Sequence, residues 1–491
     1  MYSKLNKRQL LGRLYGNAFI YGVGIVLVRA GGILLLPIYW LKLSPTDYGI
    51  IGLSQAITVF LGPVLGMGLY DAVQRFYYEW KEGERPRYLA ALWSFTLFAS
   101  FVLCVLLDAV GASLFGQIYS QVPFEPYLRI AVWTAFATNI SMIPLVLLRV
   151  RERLKPYTLI VAGQFLTQTA ITLYFVFVLD WGAEGYLTGL LVNASLWGVI
   201  FALSMLREMR FPVTAMHLRE PFRYAFPIIP TSLLDGLNSV VDRYFLDKYV
   251  GLQQIGHYTL ANQFGLGFNM FNQVMKNSWF PFLYRISAER ADGPVVLSRF
   301  PLYYIAALSL PALGIALLTK DLIVWFGDEK YFDLYEYVPA FVLFYFLFVV
   351  GNAMGRGLDL AKRMGPTPFI QLAGLATSVG LMWLLVPRYG IWAVIGALIA
   401  GTTVRVGLLI VLSHRVYPRP VHGRRLLLLA VIVGGAYFAG SAVDSGYLLF
   451  DVLLKTLMVL ICGVALVWFV LDRKPALALA GNVLRSLKAK I

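Results

Sequence analysis

The sequence predicts an all-α integral membrane protein of about fourteen transmembrane helices, and three observations carry that prediction. Hydrophobic residues make up 59% of the 491-residue chain and charged residues only 14%, with a mean hydropathy of +0.70, more apolar surface than a water-soluble core absorbs. Apolar stretches recur from end to end, each of the roughly 18–25 residues that a helix needs to cross about 30 Å of hydrocarbon. Basic residues gather in alternate connections between those stretches. A barrel would instead show strands of about ten residues alternating in polarity, a pattern this sequence lacks.

The first stretch, 17–38, follows a basic leader of Lys4, Lys7, Arg8 and Arg13. It exceeds the roughly 7–15 apolar residues of a signal peptide, contains Arg29 and ends at Pro37 without a small-x-small cleavage pattern, so it reads as a retained helix. Spans 46–70, 88–111, 127–148, 157–179 and 183–206 complete a first set of six. A second set runs 222–247, 253–276, 299–319, 336–355, 367–386 and 390–413, and spans 425–443 and 448–471 close the chain.

Basic clusters fall at Arg75/Lys81/Arg85/Arg87, Arg149/Arg151/Arg153/Lys155, Arg207/Arg210/Arg219/Arg223, Lys276/Arg285/Arg290/Arg299, Arg356/Lys362/Arg363 and Arg415/Arg419/Arg424/Arg425. The intervening loops hold only Lys42, Lys248, Lys320, Lys330 and Arg388. The positive-inside rule therefore puts both termini and every basic loop in the cytoplasm, which requires an even number of spans. The same clusters account for the net charge of +16 without a nucleic-acid partner, since no basic domain is left to hold a duplex. Cys104 and Cys462 lie inside apolar stretches. They read as small core residues, with no disulfide framework and no metal set.

The second half resembles the first at a nearly constant offset. Leu43 to Ile57 lies over Val250 to Phe264, matching Gly49 with Gly256, Leu53 with Leu260 and Gln55 with Asn262. Arg153-Leu-Lys-Pro156 matches Arg363-Met-Gly-Pro366, and Trp181-Gly182 matches Tyr389-Gly390. Three matches in order predict two parallel six-helix bundles, 1–215 and 216–415, with two extra C-terminal helices and a basic tail in 416–491. Parallel repeats are a recurring transporter architecture with the substrate held between the halves. In the last span Asp451 and Lys455, at i and i+4, are expected to pair.

Charges at membrane depth cost several kcal/mol and usually face a cavity, which makes them the functional candidates. In span 7, Thr231, Asp235, Asn238, Ser239 and Asp242 repeat at helical spacing on one face, with Arg243 at its edge. Span 8 continues the theme with Asn262, Asn269 and Gln273, and Lys276 at its end. Arg29 sits near the middle of span 1, and the repeat offset sets it against Gly236, beside Asp235. Arg405 in span 12 and Arg129 near the start of span 4 are further candidates. The competing expectation is structural: Asp235 and Asp242 pair with Arg243, Arg29 or Arg405, and the amides bond between helices.

Enzymatic chemistry has little to stand on. No Gly-x-x-x-x-Gly-Lys phosphate loop occurs. His217, His257, His414 and His422 are dispersed near helix ends and read as loop-exposed bystanders, so no cofactor or metal is expected. Asp47, Asp321, Asp328, Glu329, Asp333 and Glu336 read as a solvated acidic rim on the outer side.

The span pattern, the repeat, Asp47-Tyr48-Gly49 and Val241-Asp-Arg-Tyr-Phe-Leu246 together resemble the polysaccharide-export branch of the multidrug/oligosaccharidyl-lipid/polysaccharide exporter superfamily, the Wzx-type flippases. The resemblance covers roughly residues 10–475. It implies a bacterial inner-membrane transporter that turns undecaprenyl-pyrophosphate-linked oligosaccharides from the cytoplasmic to the periplasmic leaflet for O-antigen, capsule or exopolysaccharide, alongside a polymerase and other assembly proteins.

Arginine forks suit phosphate oxygens, so Arg29, Arg243 and Arg405 are the expected substrate cations. Asp235, Asn238, Ser239, Asp242, Asn262, Asn269 and Gln273 are the expected sugar-facing or ion-coupling groups, for protons or sodium. A lipid II flippase, an ion-coupled drug/cation antiporter of the same superfamily and a membrane-embedded polymerase or ligase are the alternatives. The absence of a long outer loop with convergent Arg or His weighs against the enzyme.

Overall fold

Helical backbone occupies the described part of every predicted span in a computed structural model that describes residues 31–470, apart from 213, 215, 227, 290–297, 327–328, 362 and 419. No strand occurs among the described residues. In hydrocarbon a helix satisfies its own backbone groups, which leaves this fold class as the one open to so apolar a chain without barrel patterning.

The chain begins with α1 (Gly31–Trp40). It continues through α2 (Pro45–Gly66), the short α3 (Leu69–Phe76), α4 (Arg85–Ile118), α5 (Arg129–Val150), α6 (Leu154–Leu173), α7 (Gly182–Glu208) and the short α8 (Met216–Ala225). There follow α9 (Ile228–Tyr249), α10 (Leu252–Glu289), α11 (Phe300–Phe326), α12 (Val338–Met354), the one-turn α13 (Gly357–Leu360), α14 (Thr367–Val416), α15 (Gly423–Ser441) and α16 (Leu448–Ala465).

Ten helices among the described residues are long and apolar enough to cross a membrane, compared with fourteen predicted spans. The difference has three sources. Only the last part of span 1 is described, as α1. Spans 7 and 8 are the full-length helices α9 and α10, whose Asp, Asn, Gln and Lys residues lower their hydropathy. Spans 11 and 12 are both contained in α14, which breaks at Gly390 where the backbone turns to φ 54°, ψ −131°.

Local chemistry sets the element starts. Ser44 opens α2 with a reciprocal capping box: its Oγ accepts from the Asp47 N–H at 3.2 Å while the Asp47 carboxylate accepts from the Ser44 N–H at 2.8 Å. Pro45 fills the first helical position, where no N–H is needed. Asp47 also accepts from the Ala183 N–H at 3.2 Å, tying α2 to the start of α7. It is therefore a capping group, and not part of a solvated rim. Gly182 and Gly390, matched by the sequence repeat, both adopt φ 54° just before a helical segment, a conformation that side chains disfavour.

Two compact units result, Met1–Leu260 with Val379–Val394 and Ala261–Ser378 with Ile395–Ile491. In the first, α2 packs against α5 and α9, and α5 and α6 pack against α7. Leu69, Tyr88, Trp93, Ile143, Met205 and Ala225 form a buried core where α3 and α8 meet α4. In the second unit, α11 packs along α12, α15 and α16. Leu453, Leu457 and Leu460 of α16 are exposed, a surface suited to lipid rather than water.

Candidate functional site

The polar face of α9 ends in a buried ion pair. Asp242 accepts from the Arg243 guanidinium at 3.0 Å and from the Tyr258 hydroxyl at 2.5 Å, and the guanidinium carbon stands 4.5 Å from the Tyr258 ring centre. Asp242 and Arg243 are each 7% exposed. A charge that deep requires a partner, and here each supplies it to the other. Arg243 is thus neutralised and stacked. The Tyr119 hydroxyl and Arg243 Nε are buried beside this pair with no hydrogen-bond partner among the described residues.

One turn further, Asp247 forms a clasp with the 119–123 loop. Its carboxylate accepts from the Ser120 N–H at 2.5 Å, the Ser120 hydroxyl at 2.9 Å and the Gln121 N–H at 3.1 Å. The Gln121 amide returns hydrogen bonds to the carbonyls of Asp247 and Val250. Asp247 is 2% exposed, and backbone donors make this carboxylate tolerable without a cation. Nearby, the starts of α2 and α10 touch backbone to backbone: a Cβ on Gly49 would overlap the Leu252 carbonyl, and one on Gly256 would overlap the Pro45 carbonyl and approach Gly49 N.

In the second unit the amides of α10 mostly join helices. Tyr345 of α12 donates to Asn262 at 3.0 Å. Asn272 donates to Asn269 at 3.1 Å and accepts from Tyr304 of α11 at 2.8 Å. Gln273 is exposed. Arg405 is partly buried, 5.2 Å from the Phe348 ring centre.

A different cation pair stands out at the basic-loop end of this unit. Arg356 stacks on Phe280 at 3.9 Å, donates to Asn352 at 2.8 Å and pairs with Asp359. Lys276 of α10 is partly buried with Arg356 and Asp359 as its charged neighbours. Its ammonium has no hydrogen-bond or ion-pair partner among the described residues. The sequence shows Lys276 both as the end of the polar series of span 8 and as one member of a basic loop cluster, and burial is the signal that separates it from the other loop cations.

Of the other candidates, Arg29 and the side chains of Thr231, Asp235 and Asn238 lie outside the described residues. Ser239 is partly buried in α9. Arg129 pairs with Asp108 at 2.7 Å and with Glu125 at 2.6 Å.

The structure corrects two further expectations. Lys455 does not pair with Asp451 along its own helix. Its ammonium reaches both oxygens of Asp321 in α11 at 2.8 Å, and Asp451 accepts from the Ser445 N–H and hydroxyl. A buried lysine needs a carboxylate; Asp451 is buried too, at 4% exposure, but its oxygens are taken up by Ser445 at the helix entry. His217 and His257 are buried, at 2% and 3% exposure, and not exposed bystanders. His217 meets Glu84 at 3.1 Å and stacks on Trp80. No group of three His, Cys, Asp or Glu side chains suited to a metal ion occurs among the described residues.

A family model described as "Polysaccharide biosynthesis protein" matches residues 42–329. No curated protein matches the chain. Among solved structures, the lipid II flippase MurJ in an inward closed conformation aligns with a TM-score of 0.69 and 14% identity, over 94% of this chain and 99% of that one. An inward-facing multidrug resistance MATE family transporter aligns with a TM-score of 0.60 and 15% identity, over 79% and 97%. The MATE multidrug transporter DinF-BH, solved as a complex, gives 0.56 and 14%, over 84% and 97%. At these identities the likeness is one of fold.

Proposed function

Because the chain belongs to the polysaccharide biosynthesis protein family and has the fold of flippases and multidrug transporters, we propose that it moves a polyprenyl-pyrophosphate-linked oligosaccharide between membrane leaflets. The substrate turns from the cytoplasmic to the periplasmic leaflet of a bacterial inner membrane by alternating access, for surface polysaccharide assembly with a polymerase downstream. Both chain ends face the cytoplasm, as the basic loops require.

The observation that carries this reading is Lys276. An ammonium held partly out of water beside a second cation, with no partner of its own among the described residues, is costly unless an anion visits it. A pyrophosphate supplies that charge, and the neighbouring Arg356 lies ordered by Phe280, Asn352 and Asp359. Arg405 is a second cation of the same unit for the phosphates, and Arg29 a third in the chain. Asn262, Asn269 and Gln273 supply amide contacts for sugar hydroxyls when the amide bonds exchange. Arg243 serves by holding Asp242. Asp235 is then the carboxylate of α9 assigned to a coupling proton or sodium ion.

The test is leaflet translocation in proteoliposomes loaded with a polyprenyl-pyrophosphate oligosaccharide. Wild type is expected to move the lipid, and Lys276→Ala, Arg29→Ala and Arg405→Ala to lose at least tenfold in rate while inserting normally. Unchanged transport in all three variants would sink the reading. Export of a cationic dye without lipid movement would replace it with the antiporter alternative.

A further inference from the structure

In the first unit, α6 is open on two opposite sides, and only Thr172 of its residues is buried. One open side is apolar: Leu159 and Leu166 are 73% and 65% exposed. The other carries Gln164 and Gln168, both partly buried. At about 3.6 residues per turn the two amides share a stripe roughly opposite Leu159 and Leu166. The leucines suit lipid, whereas amides one turn apart in a membrane-spanning helix belong on its inner side.

The flanking contacts agree with that orientation. Towards α7, the Thr167 hydroxyl donates to Asn193 at 2.7 Å and accepts from the Trp197 indole at 2.9 Å, and a Cβ on Gly163 would stand 3.3 Å from the Trp197 ring. On the opposite flank Phe165 lies against Gly31 of α1. The glutamine stripe falls between these flanks. While Thr167, Asn193 and Trp197 bond to one another, the side chains of Gln164 and Gln168 make no hydrogen bond among the described residues. Each amide both donates and accepts, which matches a ligand rich in hydroxyls. Tyr157 stands on the same stripe at the basic-loop end of α6, with the Arg149 guanidinium 5.8 Å from its ring centre. From Tyr157 the amides lie roughly 10 and 16 Å further along the axis, at about 1.5 Å per residue. That is the direction in which sugars extend from a phosphate held at the basic-loop side.

We propose that Gln164 and Gln168 form a glycan subsite, whose amides take the hydroxyls of the saccharide on the transported lipid and select sugar-bearing lipid over bare polyprenyl pyrophosphate. The assignment rests on the transport reading above, and it adds a sugar contact in the first unit to the amides of α10.

The experiment measures binding of undecaprenyl pyrophosphate and of an undecaprenyl-pyrophosphate-linked neutral trisaccharide to the purified full chain in a neutral detergent. Wild type is expected to bind the trisaccharide lipid at least about tenfold more tightly. Gln164→Met/Gln168→Met, which keeps the side-chain length and removes the amides, is expected to lose that preference while holding the bare lipid within about twofold. Its melting midpoint is expected to stay within about 2 °C of wild type, since no hydrogen bond is removed. Should the double variant fold poorly, Gln164→Met and Gln168→Met are each expected to lose at least about threefold of the preference. Leu166→Met, on the lipid side, is expected to change neither affinity. A preference that survives in the folded variants, or an equal loss for both lipids, would overturn the subsite and leave the transport reading standing. Wild type that binds neither lipid would overturn both.

Discussion

Lys455 of α16 holds Asp321 of α11 with its ammonium 2.8 Å from both carboxylate oxygens, and the two side chains are only 3% and 6% exposed. This pair fixes the last helix to the body of the second unit, where α16 otherwise offers lipid a largely apolar surface. Removing one member strands the other. Lys455→Met is expected to cost about 3–5 kcal/mol, and Lys455→Met with Asp321→Leu to recover most of that loss, since an apolar pair of similar volume often replaces a buried ion pair without penalty. Denaturation midpoints in detergent for the two single variants and the double variant check this.

A second ion pair, between α11 and the turn that precedes α16, is largely open to solvent. Lys320 meets Asp444 at 2.7 Å and holds its carboxyl below the ordinary aspartate range. A depressed carboxyl contributes stability above its unfolded-state value and loses it as pH falls through the folded-state value. Acidification is therefore expected to loosen the 442–447 turn, and Asp444→Asn to remove that pH dependence, as read by hydrogen exchange of the turn. The effect is small and weakens with salt, because the pair is solvent-screened.

Arg243 and Lys276 make opposite predictions about stability. Arg243→Ala leaves Asp242 buried without its guanidinium, and a loss of about 3–5 kcal/mol is expected. Lys276→Ala removes a charge that has no partner among the described residues, so stability should hold or rise while transport falls. Parallel thermal melts and translocation rates separate the two roles.

The clasp at Asp247 predicts a local opening. Asp247→Ala orphans the amides of Ser120 and Gln121 and the Ser120 hydroxyl, at about 1–3 kcal/mol for each buried group left unpaired. Amide exchange across residues 119–123 is expected to accelerate at least tenfold, with little change in α5. Unchanged exchange would show that the loop is held by something else.

Two glycines of one helix predict opposite signs. Gly49→Ala places a methyl group into the Leu252 carbonyl, whereas Gly62 has open space around its Cβ position. The first substitution is expected to destabilise by at least about 1–3 kcal/mol, and Gly62→Ala to stabilise by about 0.5–1 kcal/mol through reduced backbone freedom. Melting midpoints of the two variants decide it.

The fold was legible because hydrophobic length and loop charge are local quantities: spans such as 88–111 and 183–206 appear as α4 and α7 with only their ends adjusted. The candidate site was legible in part. The polar face of α9 is visible in the spacing of Asp235, Ser239 and Asp242, and the structural expectation that Asp242 pairs with Arg243 is met, but the part of Tyr258 depends on where α10 begins to pack. Lys455 offered a tempting partner four residues away, and the choice of Asp321, 134 residues distant, is a tertiary fact. Lys276 was visible at the end of the polar series of span 8, but its partial burial beside Arg356 was not, since burial has no signature in a single sequence.

In a dimer of two separate identical chains, a residue on the two-fold axis meets its own copy, and any mutation there strikes both sides at once. Gly49 and Gly256 occupy matched places in the two halves of this sequence and lie against each other. Written into one chain, such a position has two codons that drift separately. The contact therefore acts as a shared clearance between α2 and α10, in which a single enlargement on either side spoils the fit of both helices.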